Sequence, residues 1–218
     1  MITDKNFLGR NGFMWFTGVV EDRIDPEYLG RVKVRCIGLH TDDKLQLPTA
    51  DLPWAQVVLP VTSAAISGLG FSPSALVEGC WVYGYFRDGE NCQEPLVLGS
   101  IPGRPTALAT TTAGFNDPNG VYPKYKDEVD TNRLAVNLKS GTTETNPHLS
   151  LTLRRSTRIT GVATADFNPV TAADGSAIEG SDGDTFDQPT IPFAAVYPRN
   201  HVYESESGHI QEYDDTPG

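Results

Sequence analysis

The chain has 218 residues with 28 acidic against 17 basic side chains, a formal net charge of −11, and length enough for one or two domains. A surface that binds polyanions needs clustered Lys and Arg, so this balance argues against nucleic acid as the partner. Three cysteines without CxxC or Cys/His spacing leave no disulfide framework or zinc site, and no run approaches the roughly 20 apolar residues that cross a bilayer.

Residues 1–12 mix Gly, Asn and charge, carry no apolar stretch of signal-peptide length, and read as a flexible arm of a soluble chain made in the cytoplasm. Residues 13–103 hold five short apolar runs, each bounded by Gly, Pro or acidic turn residues, and these are predicted strands. In the second run Val32, Val34 and Cys36 alternate with Lys33 and Arg35, the period-two pattern of a strand with one buried face. Its phase slips around Gly38, between Ile37 and Leu39, which predicts a bulge or sharp bend. Arg31, Lys33 and Arg35 would then form a solvated face or meet an acidic partner. Five strands with a kinked long one is the pattern of an OB-type barrel.

Two stretches of this region stand out. Residues 61–79 contain no Lys or Arg and one acid, Glu78, yet carry Ile66, Leu69, Phe71 and Leu76. A loop so poor in charge either folds back as a short helix plugging one end of the barrel or packs at an interface. In the fourth run Cys80, Val82, Gly84 and Phe86 can line the interior, which puts Trp81, Tyr83 and Tyr85 on the outer face. Such an aromatic row could stack bases, be covered by another subunit, or lie beneath the chain's own tail. The cysteines Cys36 and Cys80 sit within apolar runs, where a free thiol behaves as a small hydrophobe, in keeping with a reducing compartment.

From 104 to 196 the chain is rich in Thr, Asp, Gly, Asn and Pro and reads as an extended linker. Within it, residues 148–159 (HLSLTLRRSTRI) alternate as a possible strand, and residues 168–189 are acidic and low in hydrophobicity. Asp174, Glu179, Asp182, Asp184 and Asp187 cluster there without an apolar pocket to raise a carboxyl pKa, so they read as solvated acids rather than a glycosidase pair. The same stretch lacks the ligand spacing of an EF-hand. Arg154, Arg155 and Arg158 read as a second solvated basic face. Residues 197–218 return to strand-like content on both sides of Ser207 and Gly208. His201 and His209 lie eight apart with no second ligand type at diagnostic spacing, and read as surface histidines. No phosphate loop, nucleophile elbow or Cys–His pair is present; no catalytic, cofactor-binding or metal-binding residue is assigned, and no cofactor is expected.

Several of these stretches, taken in order, carry a resemblance: WFTGVVEDRIDP, LGRVKVRCIGLH, LPWAQVVLPVTSAAISGLG, VEGCWVYGYF and PLVLGSIPG, then GFNDPNGVYPKYKDEVDTN. They resemble the N-terminal OB domain of the baseplate central spike proteins, or tail lysozymes, of T-even-type contractile phages. YPRNHVYESESGHIQEYDDTPG, at the far end, is similar to the lead-in to the triple-stranded β-helix of phage and type VI secretion spikes. The resemblance implies an all-β chain with an N-terminal arm (1–12), a five-stranded OB-fold barrel (13–103) and the start of a trimeric β-helix (197–218). Where the family carries a lysozyme domain, this chain departs from it, for residues 104–196 are too short and too polar for a lysozyme core and read as an extended linker.

It further implies a homotrimer in the virion tail baseplate, assembled in the host cytoplasm. That trimer would join the end of the tail tube to the membrane-piercing needle and touch the host envelope during penetration. Its partners would be a second and third copy of the chain, a tail hub protein beneath the tube, and a spike-tip protein as a further candidate. Residues expected at partner or trimer contacts are Ile66, Leu69, Phe71, Leu76, Trp81, Tyr83, Tyr85, Val202, Tyr203, Ile210 and Tyr213. Two other readings are a piece of a spike-associated peptidoglycan hydrolase whose catalytic part lies elsewhere, and a single-strand nucleic-acid-binding OB protein.

Overall fold

The computed structural model describes residues 14–124, 126–132, 135–136, 196–207 and 209–217. Two compact units divide at Asp130. In the first, five strands form a closed barrel: β1 (Met14–Asp22), β2 (Val32–Cys36), β3 (Trp54–Val57), β4 (Trp81–Phe86) and β5 (Pro95–Ser100). The ring order is β1-β2-β3-β5-β4, with β4 returning to β1. Every neighbouring pair is antiparallel except β3 and β5, which run parallel and close the ring. The five predicted strands and the OB-type barrel are all present.

The interior is built from small and β-branched residues because five strands enclose little space. Val20, Val32, Val34, Ala55, Val82 and Val97 are all buried, and Phe16 and Phe86 meet at 5.0 Å between ring centroids. Full burial of each Val or Phe among them contributes about 1.5–3 kcal/mol. Curvature comes from register shifts at Val20/Asp22 in β1 and at Tyr83/Gly84 between β4 and β5. At the second shift a Cβ on Gly84 would stand 2.0 Å from the carbonyl oxygen of Leu96, so only glycine lets β4 fold over β5 there.

Of the bulge or sharp bend expected around Gly38 the structure has the bend: β2 ends at Cys36, and residues 37–39 make a turn with Gly38 at φ +77°. One expectation for β2 is corrected. The strand does not have one buried face, for all five of its residues are buried, Lys33 and Arg35 included. The face opposite the barrel interior is covered by the chain itself, as the ion pair described below explains.

The first compact unit runs on past β5 to Asp130, and residues 104–130 form a strap within it. Main-chain polar groups hold it there more than apolar burial does. Gly114 N–H donates to Asp42 O at 2.7 Å, Ala113 bridges Asp43, and Lys44 Nζ reaches Thr111 O. The buried carboxylate of Asp117 accepts the N–H groups of Asn119, Val121 and Tyr122 and so sets the turn at the strap's middle.

The second unit contributes an antiparallel hairpin, β6 (Asn200–Glu204) with β7 (Ile210–Asp214). The stretches at 148–159 and 168–189, the acid cluster and the three arginines between 154 and 158 lie outside the described residues, as do residues 1–13.

Candidate interaction surfaces

The basic residues of β2 are spent inside the molecule. Arg35 and Glu21 have side chains with no solvent exposure. Arg35 Nε donates to Glu21 Oε1 at 2.6 Å and its Nη2 to Oε2 at 3.0 Å, the two-pronged geometry that suits guanidinium to carboxylate. Its remaining donors cap Thr41 O at 2.6 Å and Leu47 O at 2.8 Å. Glu21 in turn accepts Thr49 Oγ1 at 2.7 Å and the N–H of Phe115 at 2.8 Å. The strap covers the pair with Gly114, where a Cβ would come within 2.4 Å of Arg35 Nε. One ion pair thus ties β1, β2, the 41–51 loop and the strap together.

The neighbouring cations are used similarly. Lys33 bonds Ala50 O and lies over the Trp54 ring, and Arg31 lies over the same ring at 5.5 Å from its centroid. Arg31 also forks onto Asp25, which accepts the N–H groups of Glu27, Leu29 and Arg31. The Arg31 guanidinium, helped by those N–H groups against partial desolvation, holds the Asp25 carboxyl well below the usual carboxylate range. The solvated basic face expected on β2 is therefore absent. Distant residues fold over it.

What the barrel does present outward is apolar and aromatic. On the β1–β4 face, Trp15 lies opposite Tyr85 and Thr17 opposite Tyr83, and Trp81 follows along β4. Trp15 and Tyr85 touch edge to face, with centroids 5.5 Å apart. Leu96 of β5 continues the surface beside Tyr85. None of these positions is charged. Trp81 and Tyr83 are 44% and 43% exposed, so the sequence placed Trp81, Tyr83 and Tyr85 on the outer side correctly and missed Trp15, whose alternation with the buried Phe16 was the available signal.

The loop of residues 61–79 forms no helix. Leu76 packs against the core, whereas Ile66, Leu69 and Phe71 are 67%, 63% and 80% exposed. The tip is nevertheless a defined object. The buried Ser63 accepts the Phe71 N–H at 2.9 Å with its hydroxyl and donates to the Phe71 carbonyl, closing the loop on itself. Beside it stands the β1–β2 loop, with Gly30 against Pro73, and this loop exposes Ile24, Tyr28 and Leu29. Those three escaped the sequence reading because they sit singly among Asp, Glu and Arg; their shared end of the barrel emerges only from the fold.

In the hairpin the expected contact residues divide between its sides. Directly opposed partners share a face, which puts Val202 and Ile210 with Asn200, Glu204 and Glu212, and Tyr203 and Tyr213 with His201 and Gln211. Tyr203 and Tyr213 are exposed; Val202 and Ile210 are half-buried. His201 lies across from Tyr213 and within 3.9 Å of Asp215, while His209 sits at the turn end, where its N–H donates to Ser205 Oγ. The two histidines do not come together.

Chemistry offers little else among the described residues. No group of three His, Cys, Asp or Glu there is placed to hold a metal ion, and no helix is long and apolar enough to cross a membrane. Burial pushes the Cys36 thiol up to about 12, with the neighbouring Cys92 adding to the rise, and raises Cys80 and Cys92 as well. These are thiols suppressed as nucleophiles.

Comparison with known proteins gives a consistent picture. A family profile described as the Gp5 N-terminal OB domain matches residues 38–190. The chain is 42% identical over 235 aligned positions to Protein Gp5 of Vibrio phage KVP40, covering 97% of this chain and 53% of that protein. It is 46% identical over 129 positions to the pre-baseplate central spike protein Gp5 of Enterobacteria phage T4, covering 57% of this chain and 22% of that one. The chain thus spans about half the length of the first relative and about a fifth of the second.

Proposed function

The chain belongs to the family of Gp5 N-terminal OB domains, and on that premise we propose that it is a structural part of a phage baseplate central spike, acting through protein–protein contacts and not through catalysis. Its two named relatives are spike or Gp5 proteins of phages. The observation that carries the reading is the outward face of the barrel: Trp15, Trp81, Tyr83 and Tyr85 lie together without a charge among them, while Lys33 and Arg35 of β2 and Arg31 just before it are committed to internal partners. A base-stacking surface would need free Lys and Arg around its aromatics; a protein interface core is apolar and aromatic with charge removed from its centre.

In this proposal the working form is a homotrimer in the tail baseplate of the virion, assembled in the host cytoplasm. The barrel docks on a tail hub protein that continues the tube, using the aromatic face and the loop end that carries Ile66, Leu69 and Phe71. The β6–β7 hairpin begins a β-helix shared by three chains. A two-stranded hairpin is marginal in water, and pairing with the hairpins of two further copies would build it into a larger sheet. The same shared pairing gives the needle stiffness for envelope penetration, since sliding one chain would break many hydrogen bonds at once.

The test is sedimentation of the chain with the hub protein of the same virion. A complex of three copies each is expected, and Trp81→Asp together with Phe71→Asp should abolish it while the far-ultraviolet spectrum of the barrel stays unchanged. A folded wild-type chain that forms no such complex would refute the proposal. So would clearing of peptidoglycan by this chain alone, or salt-dependent oligonucleotide binding weakened by Trp81→Ala.

A further inference from the structure

The strap leaves the barrel and comes back to where it left. Gly103 N–H donates to Asp130 Oδ2 at 2.7 Å, Asp130 N–H donates to Gly103 O at 2.9 Å, and Asp127 N–H donates to Pro105 O at 2.7 Å. Between those clasped ends the chain makes its excursion past Thr111, Gly114, Phe115 and Tyr122, anchored to the 41–51 loop, Glu21 and Gly79. From Gly103 to Asp130 there are therefore two routes: a covalent detour through residues 104–129, and a short cut of hydrogen bonds.

We infer that this clasp is a force-released extension: tension between the barrel and whatever follows Asp130 opens the Gly103–Asp130 pair and pays out the strap while the barrel stays closed. The separability follows from where the apolar contacts lie. Every member of the barrel core cluster falls between Phe16 and Val97, and none belongs to the strap. Of the strap's own apolar side chains Leu108 and Val121 are exposed, and Phe115 and Tyr122 are only half-buried. Peeling it away costs main-chain hydrogen bonds and uncovers Arg35 and Glu21 to water, which solvates both charges, but opens no gap in the barrel interior. Held apolar cores resist collectively, whereas a few exposed hydrogen bonds at a loop's neck break first.

The released length is set by covalent geometry. Twenty-seven steps from Gly103 to Asp130, each spanning at most about 3.3–3.6 Å, give about 90 Å of added contour. The mechanical reading of the chain supplies the purpose of such a device (a join that lengthens before it fails), while the geometry stands without it.

The experiment is single-molecule stretching of the full chain held at its two termini. The expected trace has a step of about 90 Å at a force below that which opens the barrel. In a Cys80→Ala background, Gly103→Cys with Asp130→Cys should abolish this step when oxidised and restore it on reduction; a Cβ on Gly103 would stand 3.7 Å from Asp130 Oδ2, so the position has room for a side chain facing its partner. Asp130→Ala should lower the force of the step and leave the barrel event where it was. Loss of the strap only in the same event as the barrel, or persistence of the step in the oxidised double-cysteine chain, would overturn the inference. Neither result bears on whether the chain binds a hub protein, so the two proposals fail separately.

Discussion

Replacing Glu21 with Gln keeps the shape of the side chain and removes its charge, leaving Arg35 with no solvent exposure and no counter-ion. Loss of one partner of a buried pair costs about 3–5 kcal/mol, because the other charge stays desolvated. Whole-domain stability is itself only about 5–15 kcal/mol, so the change removes a large share of it. With a urea slope of about 2 kcal/mol per molar for a unit of this size, the unfolding midpoint should fall by about 2 M. Tryptophan fluorescence reads this unit alone, since Trp15, Trp54 and Trp81 all lie in barrel strands. The double substitution Glu21→Leu with Arg35→Met should recover part of the loss, as buried pairs replaced by apolar residues often do. It should not recover all, because Phe115 N–H and the carbonyls of Thr41 and Leu47 lose their partners, at about 1–3 kcal/mol for each group left buried and unsatisfied. An unchanged midpoint in Glu21→Gln would refute the claim that this pair binds the loop and strap to the barrel.

Three further outcomes follow from the same structure. Gly84→Ala should destabilise the barrel by about 3 kcal/mol, the upper end for overpacking, because its Cβ meets the backbone oxygen of Leu96 and not a side chain that can turn aside; a urea titration checks it, and a midpoint like that of the wild type counts against the register shift. Asp25 is a carboxyl whose pKa is lowered on folding, so its contribution is fully present above the unfolded value of 3.8 and is lost as pH falls below it. Asp25→Asn should therefore flatten the acid side of the stability profile below about pH 4, measured by denaturant melts at successive pH values. Cys36, buried and with its thiol pushed up to about 12, should react with a disulfide reagent at pH 8 only as fast as the barrel unfolds; labelling in native buffer at the rate of a free thiol would show that the core is open.

The parts of the fold that could be read from the sequence were those decided by neighbours along the chain. In β4 the alternation of Val82, Gly84 and Phe86 with Trp81, Tyr83 and Tyr85 is a local pattern, and the strand and its two faces came out as expected, with Trp81 and Tyr83 exposed and Tyr85 half-buried. β2 shows the opposite case. Lys33 and Arg35 alternate with valines as a wet face would, and what buries them comes from Glu21, Ala50, Leu47 and Phe115. No periodicity within β2 records a carboxylate fourteen positions earlier or an N–H eighty positions later.

The strap was read as linker for a related reason. Its docking rests on main-chain donors and on a glycine that lets the backbone approach Arg35, and hydrogen bonds between backbones leave no hydrophobic signature. For the proposed contacts, Ile66, Leu69 and Phe71 were conspicuous because a loop without charge is unusual. Ile24, Tyr28 and Leu29 were hidden among polar neighbours, and only the meeting of Gly30 with Pro73 sets them beside that loop.

The parallel seam between β3 and β5 has a consequence for how this molecule is born. Gln56 must meet Leu96, about 40 positions further along, before the ring exists. During synthesis, until the fifth stave has left the ribosome, the nascent sheet is an open ribbon with a sticky margin along β3. The earliest instant at which water can be shut out of the interior is therefore set by translation and not by how fast the valines find one another.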